Sequence, residues 1–350
     1  MKAIIYHGPH DFRVDDVPDP KIQAPTDAVV RIERTAICGS DLHMYHGEPM
    51  PVTGFAMGHE FLGTIEDVGA DVRRFQPGQR VLVACTIGCG ICSFCQDHLW
   101  SACSEATPFG PLTNIFGSPL NAGGQAEGAR VPFADGTLFP IPEGLDDEDV
   151  LFLTDILPTG TMGADLAEVG PGDVAVVFGC GPVGTFAQQA ALVRGAACVV
   201  AVDLDDGRLA KATARGCLAL NPERDSLEEL VAGLTEGRGA DCAIEAVGKP
   251  ALVQAAIDVV RPGGRVSVIG VVTDDVTLSF LQDITGKNIT LRSGIVNPQH
   301  YWSELLALIR SGRLDPKEII THRMPLTDGV RGYEIFDAHE DDVLKVVLEP

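Results

Sequence analysis

The sequence predicts an α/β protein in which a β-rich part precedes a doubly wound parallel sheet. Up to about residue 150, short alternating or β-branched runs are separated by Gly and Pro turns. From about residue 155, strand and helix patterns alternate, as in two consecutive mononucleotide-binding halves. At 350 residues, two domains are expected, because a single hydrophobic core rarely grows that large.

The composition argues against several classes of protein. The formal net charge of −23 and a pI near 4.6 disfavour binding to nucleic acid or to anionic membranes. No run of 18 apolar residues occurs, and the first residues lack the apolar core of a signal peptide. Ten cysteines without such a signal favour metal ligands and free thiols over disulfides. We therefore expect a soluble, cytoplasmic protein.

The predicted elements follow from these patterns. In the β-rich part, strands are predicted over residues 28–32, 61–68 and 80–84. The second part is expected to contain strands at 174–178, 199–202, 218–220, 242–246 and 265–270, with a sixth over 289–295. Helices are predicted near 227–234, 251–260, 302–309 and 329–336, and a closing strand over 344–348. The tail is too short for a domain, so we expect it to return to the first one.

A glycine turn joins the first strand and the first helix of the second part, with the sequence Gly179-Cys180-Gly181-Pro182-Val183-Gly184. In the G-x-G-x-x-G pattern, the first glycine permits a tight turn and the second lets the backbone approach a pyrophosphate. The third lets the helix lie close to the strand. Asp203 ends the next strand, 19 residues past the last glycine, where a carboxylate can bind ribose hydroxyls. The pattern predicts dinucleotide binding; the alternative is a purely structural turn.

Four cysteines within fifteen residues form the strongest local motif, Cys89-x2-Cys92-x2-Cys95-x7-Cys103. Four thiolates can close a tetrahedron around Zn²⁺ with no open position, which suits a structural site rather than a catalytic one. The segment is too polar and too rich in glycine for a buried strand, so we expect a lobe that is ordered by metal. An iron–sulfur cluster is the alternative. The other cysteines of the second part are interpreted as small buried hydrophobic residues: Cys180, Cys198, Cys217 and Cys242.

Two further motifs carry a family resemblance. The first is Cys38-Gly39-Ser40-Asp41-Leu42-His43, and the second is Gly58-His59-Glu60-x2-Gly63-x5-Gly69-x2-Val72. The second resembles the signature of the zinc-dependent medium-chain alcohol dehydrogenases, and the cysteine lobe and glycine turn match that family too. The resemblance covers essentially the whole chain. It implies a GroES-like catalytic domain at 1–154 and 296–350, with a zinc lobe at about 85–105. A Rossmann domain would occupy 155–295.

The resemblance also implies the ligands of a catalytic zinc. These are Cys38, His59 and Asp155, the last at a position where other members carry Cys or Glu. Aspartate here is similar to bacterial secondary-alcohol dehydrogenases and glutathione-independent formaldehyde dehydrogenases. Glu60 is expected either to bind zinc intermittently or to lie beside its ligands. One thiolate, one imidazole and one carboxylate leave a fourth position for water or substrate.

The family's proton relay maps onto Ser40 and His43, the hydroxyl at its inner end and the imidazole at its outer end. Zinc lets a bound alcohol lose its proton near neutral pH, after which the alcohol carbon releases hydride to a nicotinamide. Three other histidines are expected in solvated loops: His46, His98 and His339.

Further cofactor contacts are predicted by position. Arg208 lies where family members place a basic residue near the adenosine ribose, although a solvated helix face is an alternative. Thr159 resembles a threonine that packs on the nicotinamide. The remaining contacts follow two strands, at edges that border the ligand crevice of an open sheet: Val247, Gly248, Ile269, Gly270 and Val271.

These observations predict a zinc alcohol dehydrogenase that uses NAD, with two zinc ions per chain and a small alcohol, aldehyde or ketone as substrate. Formaldehyde oxidation or dismutation with tightly held NAD is an alternative, and a non-catalytic binding protein of the same fold is another. The resemblance implies a homo-oligomer, a dimer or a tetramer. It places Cys85, Ile295 and Phe109 or Phe116 in the substrate pocket, where the small Cys85 leaves room for a branched alcohol.

Overall fold

A computed structural model describes residues 1–47 and 52–350, and it divides the chain into two compact units. The first comprises Met1–Pro158 and Val296–Pro350, and the second comprises Thr159–Ile295. The first unit thus runs four residues past the boundary expected at 154. Asp155 belongs to it, since the backbone just before this residue is hydrogen-bonded to other parts of the first unit.

The elements alternate as the sequence pattern predicts. The strands are β1 Lys2–Gly8, β2 Asp11–Asp16, β3 Ala28–Ala36, β4 Phe55–Ala56, β5 Glu60–Val68, β6 Arg80–Val83, β7 Gly128–Val131, β8 Leu138–Pro140, β9 Val174–Phe178, β10 Cys198–Val202, β11 Leu218–Leu220, β12 Ala240–Glu245, β13 Val260–Val268, β14 Thr290–Ser293, β15 His322–Pro325 and β16 Val346–Glu349. The helices are α1 Asp41–Tyr45, α2 Ser93–Gln96, α3 Ala134–Thr137, α4 Asp147–Val150, α5 Ile156–Leu166, α6 Pro182–Val193, α7 Asp206–Ala214, α8 Leu227–Thr235, α9 Pro250–Val259, α10 Pro298–Arg310 and α11 Gly329–Ala338.

The first unit is built on a seven-stranded sheet of order β15-β16-β3-β5-β6-β8, with β7 also paired to β3. Ala36, at the end of β3, lies opposite Glu60 at the start of β5, and β16 pairs with the other edge of β3 through Val347. The chain's last strand therefore lies beside the end of β3. A smaller sheet of order β2-β1-β4 completes the unit.

The second unit contains a six-stranded sheet of order β11-β10-β9-β12-β13-β14, in which all neighbouring strands are parallel. This is the predicted doubly wound order, with β9 at the centre and the sixth strand at the edge. Strand β9 is buried along its whole length, as expected for a strand covered on both faces. The predicted fold class is confirmed.

Two local features fix where helices of the second unit begin. Helix α7 starts after Asp205, whose side chain accepts a hydrogen bond from the amide of Arg208 at 2.8 Å. Helix α9 starts with Pro250 in its first turn, where the missing amide hydrogen costs nothing. Over residues 1–47 and 52–350, the helices are all too short or too polar to cross a bilayer.

Candidate functional site

Four potential metal ligands of three chemical kinds meet in the first unit. Cys38, His59, Glu60 and Asp155 each offer one donor atom, and these atoms lie within 4.8 Å of one another. The pairing of β3 with β5 explains part of this cluster, because Cys38 follows the end of β3 where Ala36 faces Glu60. The structure therefore brings together all the residues predicted around a catalytic metal.

Asp155 reaches the cluster from a turn between a 3₁₀ segment and helix α5. The indole nitrogen of Trp302 donates to the carbonyl of Leu153 at 2.8 Å. The amide of Cys85 donates to the carbonyl of Thr154 at 2.9 Å. These two hydrogen bonds fix the backbone immediately before Asp155, which determines where its carboxylate can lie.

Imidazole and carboxylate are in direct contact within the cluster. His59 Nε2 lies 3.3 Å from Asp155 Oδ2, and Cys38 Sγ lies 3.7 Å from the same oxygen. Burial raises the pKa of Asp155, but the hydrogen bond from His59 outweighs it and holds the pKa below its usual value. Ser40 Oγ lies 3.2 Å from His59 Nε2. The predicted relay hydroxyl thus lies beside the ligand set.

A second carboxylate, which the sequence analysis did not single out, lies beside the other ring nitrogen of His59. Asp41 Oδ1 lies 3.4 Å from His59 Nδ1. The other oxygen, Oδ2, accepts from the Cys38 amide at 3.0 Å, the Tyr333 hydroxyl at 3.2 Å and Gln125 Nε2 at 3.3 Å. Burial lowers the pKa of His59, yet the negative charges of Asp41 and Cys38 raise it well above its ordinary value. The contact between Asp41 and His59 is electrostatic, because Asp41 Oδ1 has no hydrogen-bond partner among the described residues.

Glu60 forms a buried ion pair that sequence reasoning also missed. Its Oε1 lies 2.7 Å from Lys345 Nζ, and the two side chains are 0% and 1% exposed. Burial lowers the pKa of Lys345, but the negative charges of Glu60 and Cys38 outweigh it and raise the pKa. Glu60 Oε2 is buried and finds no hydrogen-bond partner among the described residues. A buried carboxylate oxygen left in this state is free to bind a cation.

The sequence offered a signal for only some of these missed residues. Asp41 lies inside the motif that begins at Cys38, three residues after a predicted ligand. Lys345 interrupts an otherwise apolar closing strand, and a lone charge in such a strand indicates a buried partner. Gln125 and Tyr333 lie in segments without any motif, so no local pattern points to them.

The four lobe cysteines also converge. Their sulfur atoms lie within 4.8 Å of one another, as the set Cys89, Cys92, Cys95 and Cys103. Backbone amides point at the sulfur atoms: the amide of Cys92 lies 3.3 Å from Cys89 Sγ, and that of Cys89 lies 3.2 Å from Cys103 Sγ. Burial opposes ionisation of Cys92, but backbone hydrogen bonds from Cys95 and Ser104 lower its pKa to about 6. Burial raises the pKa of Cys89 and of Cys95 above its ordinary value, so these two thiols would release their protons on binding zinc.

The glycine turn of the second unit has three glycines in three different environments. Gly179 has φ of +96°, a left-handed conformation that favours glycine. A Cβ on Gly184 would lie 2.0 Å from the carbonyl oxygen of Gly179, so helix α6 packs directly on the turn. Within the part of the chain that the structure describes, a Cβ on Gly181 would meet only Arg208 Nη1, at 4.0 Å. Since α6 begins at Pro182, its N-terminus faces this open backbone.

The predicted ribose-binding carboxylate lies against the same turn. Asp203 Oδ2 accepts from the Cys180 amide at 2.6 Å, and Oδ1 accepts from the Asp205 amide at 2.9 Å. These bonds hold the carboxylate at the end of β10. The guanidinium of Arg208, 4.0 Å from where a Cβ on Gly181 would lie, is at the same edge of the sheet.

Two loops that follow β12 and β13 pack tightly on each other. A Cβ on Gly270 would lie 2.2 Å from the amide nitrogen of Gly248, and one on Gly248 would lie 2.3 Å from the carbonyl oxygen of Val271. Buried Glu245 accepts from the amides of Val247 and Gly248 at 2.9 and 2.8 Å. The predicted contacts after the two strands are thus neighbours, Ile269 being buried beside them. Thr159 is half-buried on α5.

The remaining predicted positions divide between core and surface. Cys85 contacts Asp155 through its sulfur. Phe116 packs edge-on against Phe61 in the core, and Phe109 is 76% exposed. Ile295 is partly exposed at the end of the second unit. Three histidines are exposed, as expected: His46, His98 and His339.

Comparison with known proteins follows the same division of the chain. The alcohol dehydrogenase GroES-like domain family matches residues 24–143, and the zinc-binding dehydrogenase family matches residues 182–311. An uncharacterized zinc-type alcohol dehydrogenase-like protein of Bacillus subtilis is 37% identical, with all of both chains covered. The solved alcohol dehydrogenase TADH from Thermus sp. ATN1 is 38% identical with a TM-score of 0.89, covering 100% of this chain and 99% of that one.

A glutathione-independent formaldehyde dehydrogenase of Pseudomonas aeruginosa is a more distant relative. It is 31% identical, with 100% of this chain and 97% of the relative covered. The similarity therefore extends over both units, at a lower level than for the two proteins above.

Proposed function

The chain belongs to the zinc-type alcohol dehydrogenase family, and we propose that it interconverts an alcohol and its aldehyde or ketone with NAD. One observation carries this proposal: a thiolate, an imidazole and a carboxylate, from Cys38, His59 and Asp155, offer donor atoms within 4.8 Å of one another. Three protein ligands leave one position of a tetrahedral zinc open, which is the arrangement of catalytic rather than structural sites.

The donor set fits zinc in its chemistry and in its surroundings. Bound here, Zn²⁺ would stabilise the negative charge of a substrate hydroxyl and lower its pKa toward neutrality. Asp41 lies beside two of the proposed ligands: its Oδ1 is 3.4 Å from His59 Nδ1, and its Oδ2 accepts a hydrogen bond from the Cys38 amide. Glu60 is bound to Lys345 through Oε1, and its Oε2, without a hydrogen-bond partner among the described residues, is available as a further donor.

The proton released from the alcohol requires a route to water, and two residues at and near the start of α1 are proposed to supply it. Ser40 Oγ, 3.2 Å from His59 Nε2, accepts the proton of the substrate hydroxyl. His43 follows three residues later, one helical turn away, and is half-buried. An imidazole can both accept and release a proton, which suits the step from the Ser40 hydroxyl to solvent.

For the lobe, we propose a structural zinc bound by the four thiolates of Cys89, Cys92, Cys95 and Cys103. The set has no open position, and its sulfur atoms accept backbone hydrogen bonds as metal thiolates do. Each chain would then carry two zinc ions.

NAD is the proposed hydride carrier. The open backbone at Gly181 and the N-terminus of α6 can receive a pyrophosphate, and Asp203 can accept hydrogen bonds from ribose hydroxyls. The phosphate of NADP at that ribose would meet the negative charge of Asp203, which favours NAD. A cytoplasmic dimer or tetramer remains a prediction, and light scattering of the purified protein tests the oligomeric state.

Activity and metal content together test the proposal. The purified chain should oxidise a member of a panel of primary, secondary and polyol alcohols with NAD, and should contain about two zinc ions. His59→Ala should lose turnover and one zinc. The matched control is His46→Ala, since this exposed imidazole contacts Asp337 at the surface. About one zinc in fully active enzyme, iron in its place, or no turnover of any alcohol would contradict the proposal.

Formaldehyde dismutation is the second candidate, favoured by the full-length similarity to the P. aeruginosa enzyme. Two formaldehyde molecules and one water would give methanol and formate in equal amounts, without added NAD. Formation of both products by protein purified without cofactor would establish this activity. NAD binding without turnover of any substrate would instead support a non-catalytic role.

A further inference from the structure

Cys85 makes two contacts with the segment that carries the proposed carboxylate ligand. Its amide donates to the carbonyl of Thr154 at 2.9 Å, and its sulfur lies 3.5 Å from Asp155 Oδ1. The other oxygen of Asp155, Oδ2, faces His59 Nε2 at 3.3 Å and Cys38 Sγ at 3.7 Å. Oδ2 therefore faces two members of the ligand cluster, whereas Oδ1 faces Cys85, which lies outside that cluster.

We propose that Cys85 is a positioning residue, whose thiol donates to Asp155 Oδ1 and so directs Oδ2 alone toward the metal. A metal-binding carboxylate carries no proton, so a contact with a sulfur is attractive only if the thiol supplies the hydrogen. At 3.5 Å the separation suits a hydrogen bond that involves sulfur. This inference rests on the proposed catalytic zinc at Cys38, His59 and Asp155.

The consequence concerns the open position of the metal. A carboxylate can bind a cation through one oxygen or through both. If Asp155 bound through both, its second oxygen would be a fifth donor beside the water or substrate and would crowd the open position. Cys85 engages that second oxygen, so Asp155 contributes a single donor atom to the site. Cys85 itself is not among the four mutually close donor groups that the described residues form around this point.

Substitution of Co²⁺ for zinc distinguishes a positioning thiol from a ligand. Four-coordinate Co²⁺ absorbs visible light more strongly than five-coordinate Co²⁺, and thiolate ligands add charge-transfer bands in the near ultraviolet. In Cys85→Ala we expect weaker visible absorption with unchanged charge-transfer intensity. The apparent affinity of the site for the ion, measured by competition with a chelator, should fall about 10-fold. Co²⁺ bound by the four lobe cysteines absorbs equally in the wild type and in Cys85→Ala. The difference between the two spectra therefore reports the ion at Cys38, His59 and Asp155.

Two variants and one control complete the experiment. Cys85→Ser keeps a proton donor and should recover most of the visible absorption, whereas Cys85→Val fills the volume without a donor and should not. The valine variant also serves if the alanine variant unfolds. Cys198→Ala removes a half-buried thiol of the second unit and should leave spectrum and affinity unchanged.

Three results would overturn the inference. Loss of charge-transfer intensity in Cys85→Ala would make Cys85 a ligand. A spectrum and an affinity equal to those of the wild type would make it an ordinary core thiol. A wild-type spectrum that His59→Ala leaves unchanged would show that the ion does not bind at this cluster. Only that last result also removes the proposed function.

Discussion

Removing the positive charge of Lys345 is the most direct test of how the candidate site is held together. Its Nζ lies 2.7 Å from Glu60 Oε1, and the side chains are 1% and 0% exposed. Lys345→Met keeps most of the side-chain volume but leaves the carboxylate of Glu60 buried beside Asp155 without its cation. Because both remaining groups are acidic, the substitution converts an attraction into a repulsion.

The size of the effect follows from the separation and the burial. At 2.7 Å and an effective dielectric constant of about 20, the attraction is about 6 kcal/mol. The variant no longer bears the cost of burying an ammonium group, and this offsets part of the lost attraction. We therefore expect Lys345→Met to lower the free energy of unfolding by about 3 to 5 kcal/mol. The double variant Lys345→Met/Glu60→Gln, which leaves no unpaired charge, should recover most of that loss.

Denaturant unfolding of the variants, with zinc content matched by elemental analysis, measures these differences. The control is Lys317→Met, which removes the partner of Asp149 from a pair whose side chains are 40% and 19% exposed. Lys317→Met should lower the free energy of unfolding by less than about 1 kcal/mol. A loss below about 1 kcal/mol in Lys345→Met, or a double variant as unstable as the single one, would refute the role given to the buried pair.

Three further predictions address proton transfer, cofactor choice and acid stability. Ser40→Ala should lower kcat by about 100-fold or more without loss of zinc, and near-normal turnover at neutral pH would contradict the relay. The wild type should prefer NAD over NADP by at least about 100-fold in kcat/KM, or about 2.7 kcal/mol, and Asp203→Ser should shrink that gap; equal efficiency with both cofactors would remove the role of Asp203. Burial raises the pKa of Asp241, but hydrogen bonds from the Val174 amide and Arg261 outweigh it and lower the pKa below 3.8. The stability that this carboxylate contributes is present above its unfolded pKa and is lost as pH falls through the lower folded value. The difference in thermal midpoint between wild type and Asp241→Asn should therefore narrow below about pH 4, and a constant difference down to about pH 2 would be inconsistent with it.

Local patterns in the sequence were sufficient for the second unit and for the metal motifs. Alternating strand and helix periods predicted the doubly wound sheet, because each strand and each helix is identified by its own few residues. The glycine turn and the four lobe cysteines are equally local, since their members lie within fifteen residues of one another. Spacing alone therefore indicated that their backbone and sulfur atoms could converge.

Only the tertiary structure determined which residues surround the cluster of Cys38, His59, Glu60 and Asp155. Lys345 lies 285 residues from Glu60, and Tyr333 lies 292 residues from Asp41, so no window of sequence contains either pair. The register of the large sheet brings the first pair together, because β16 and β5 flank β3 at the same end. Cys85 illustrates the same limit: the sequence marked it as a small pocket residue, whereas its contact with Asp155 depends on where two distant turns meet. The sequence gives the chemical groups of each side chain. Which partner each group contacts, and therefore how its pKa shifts, depends on strand register and on packing across the whole unit.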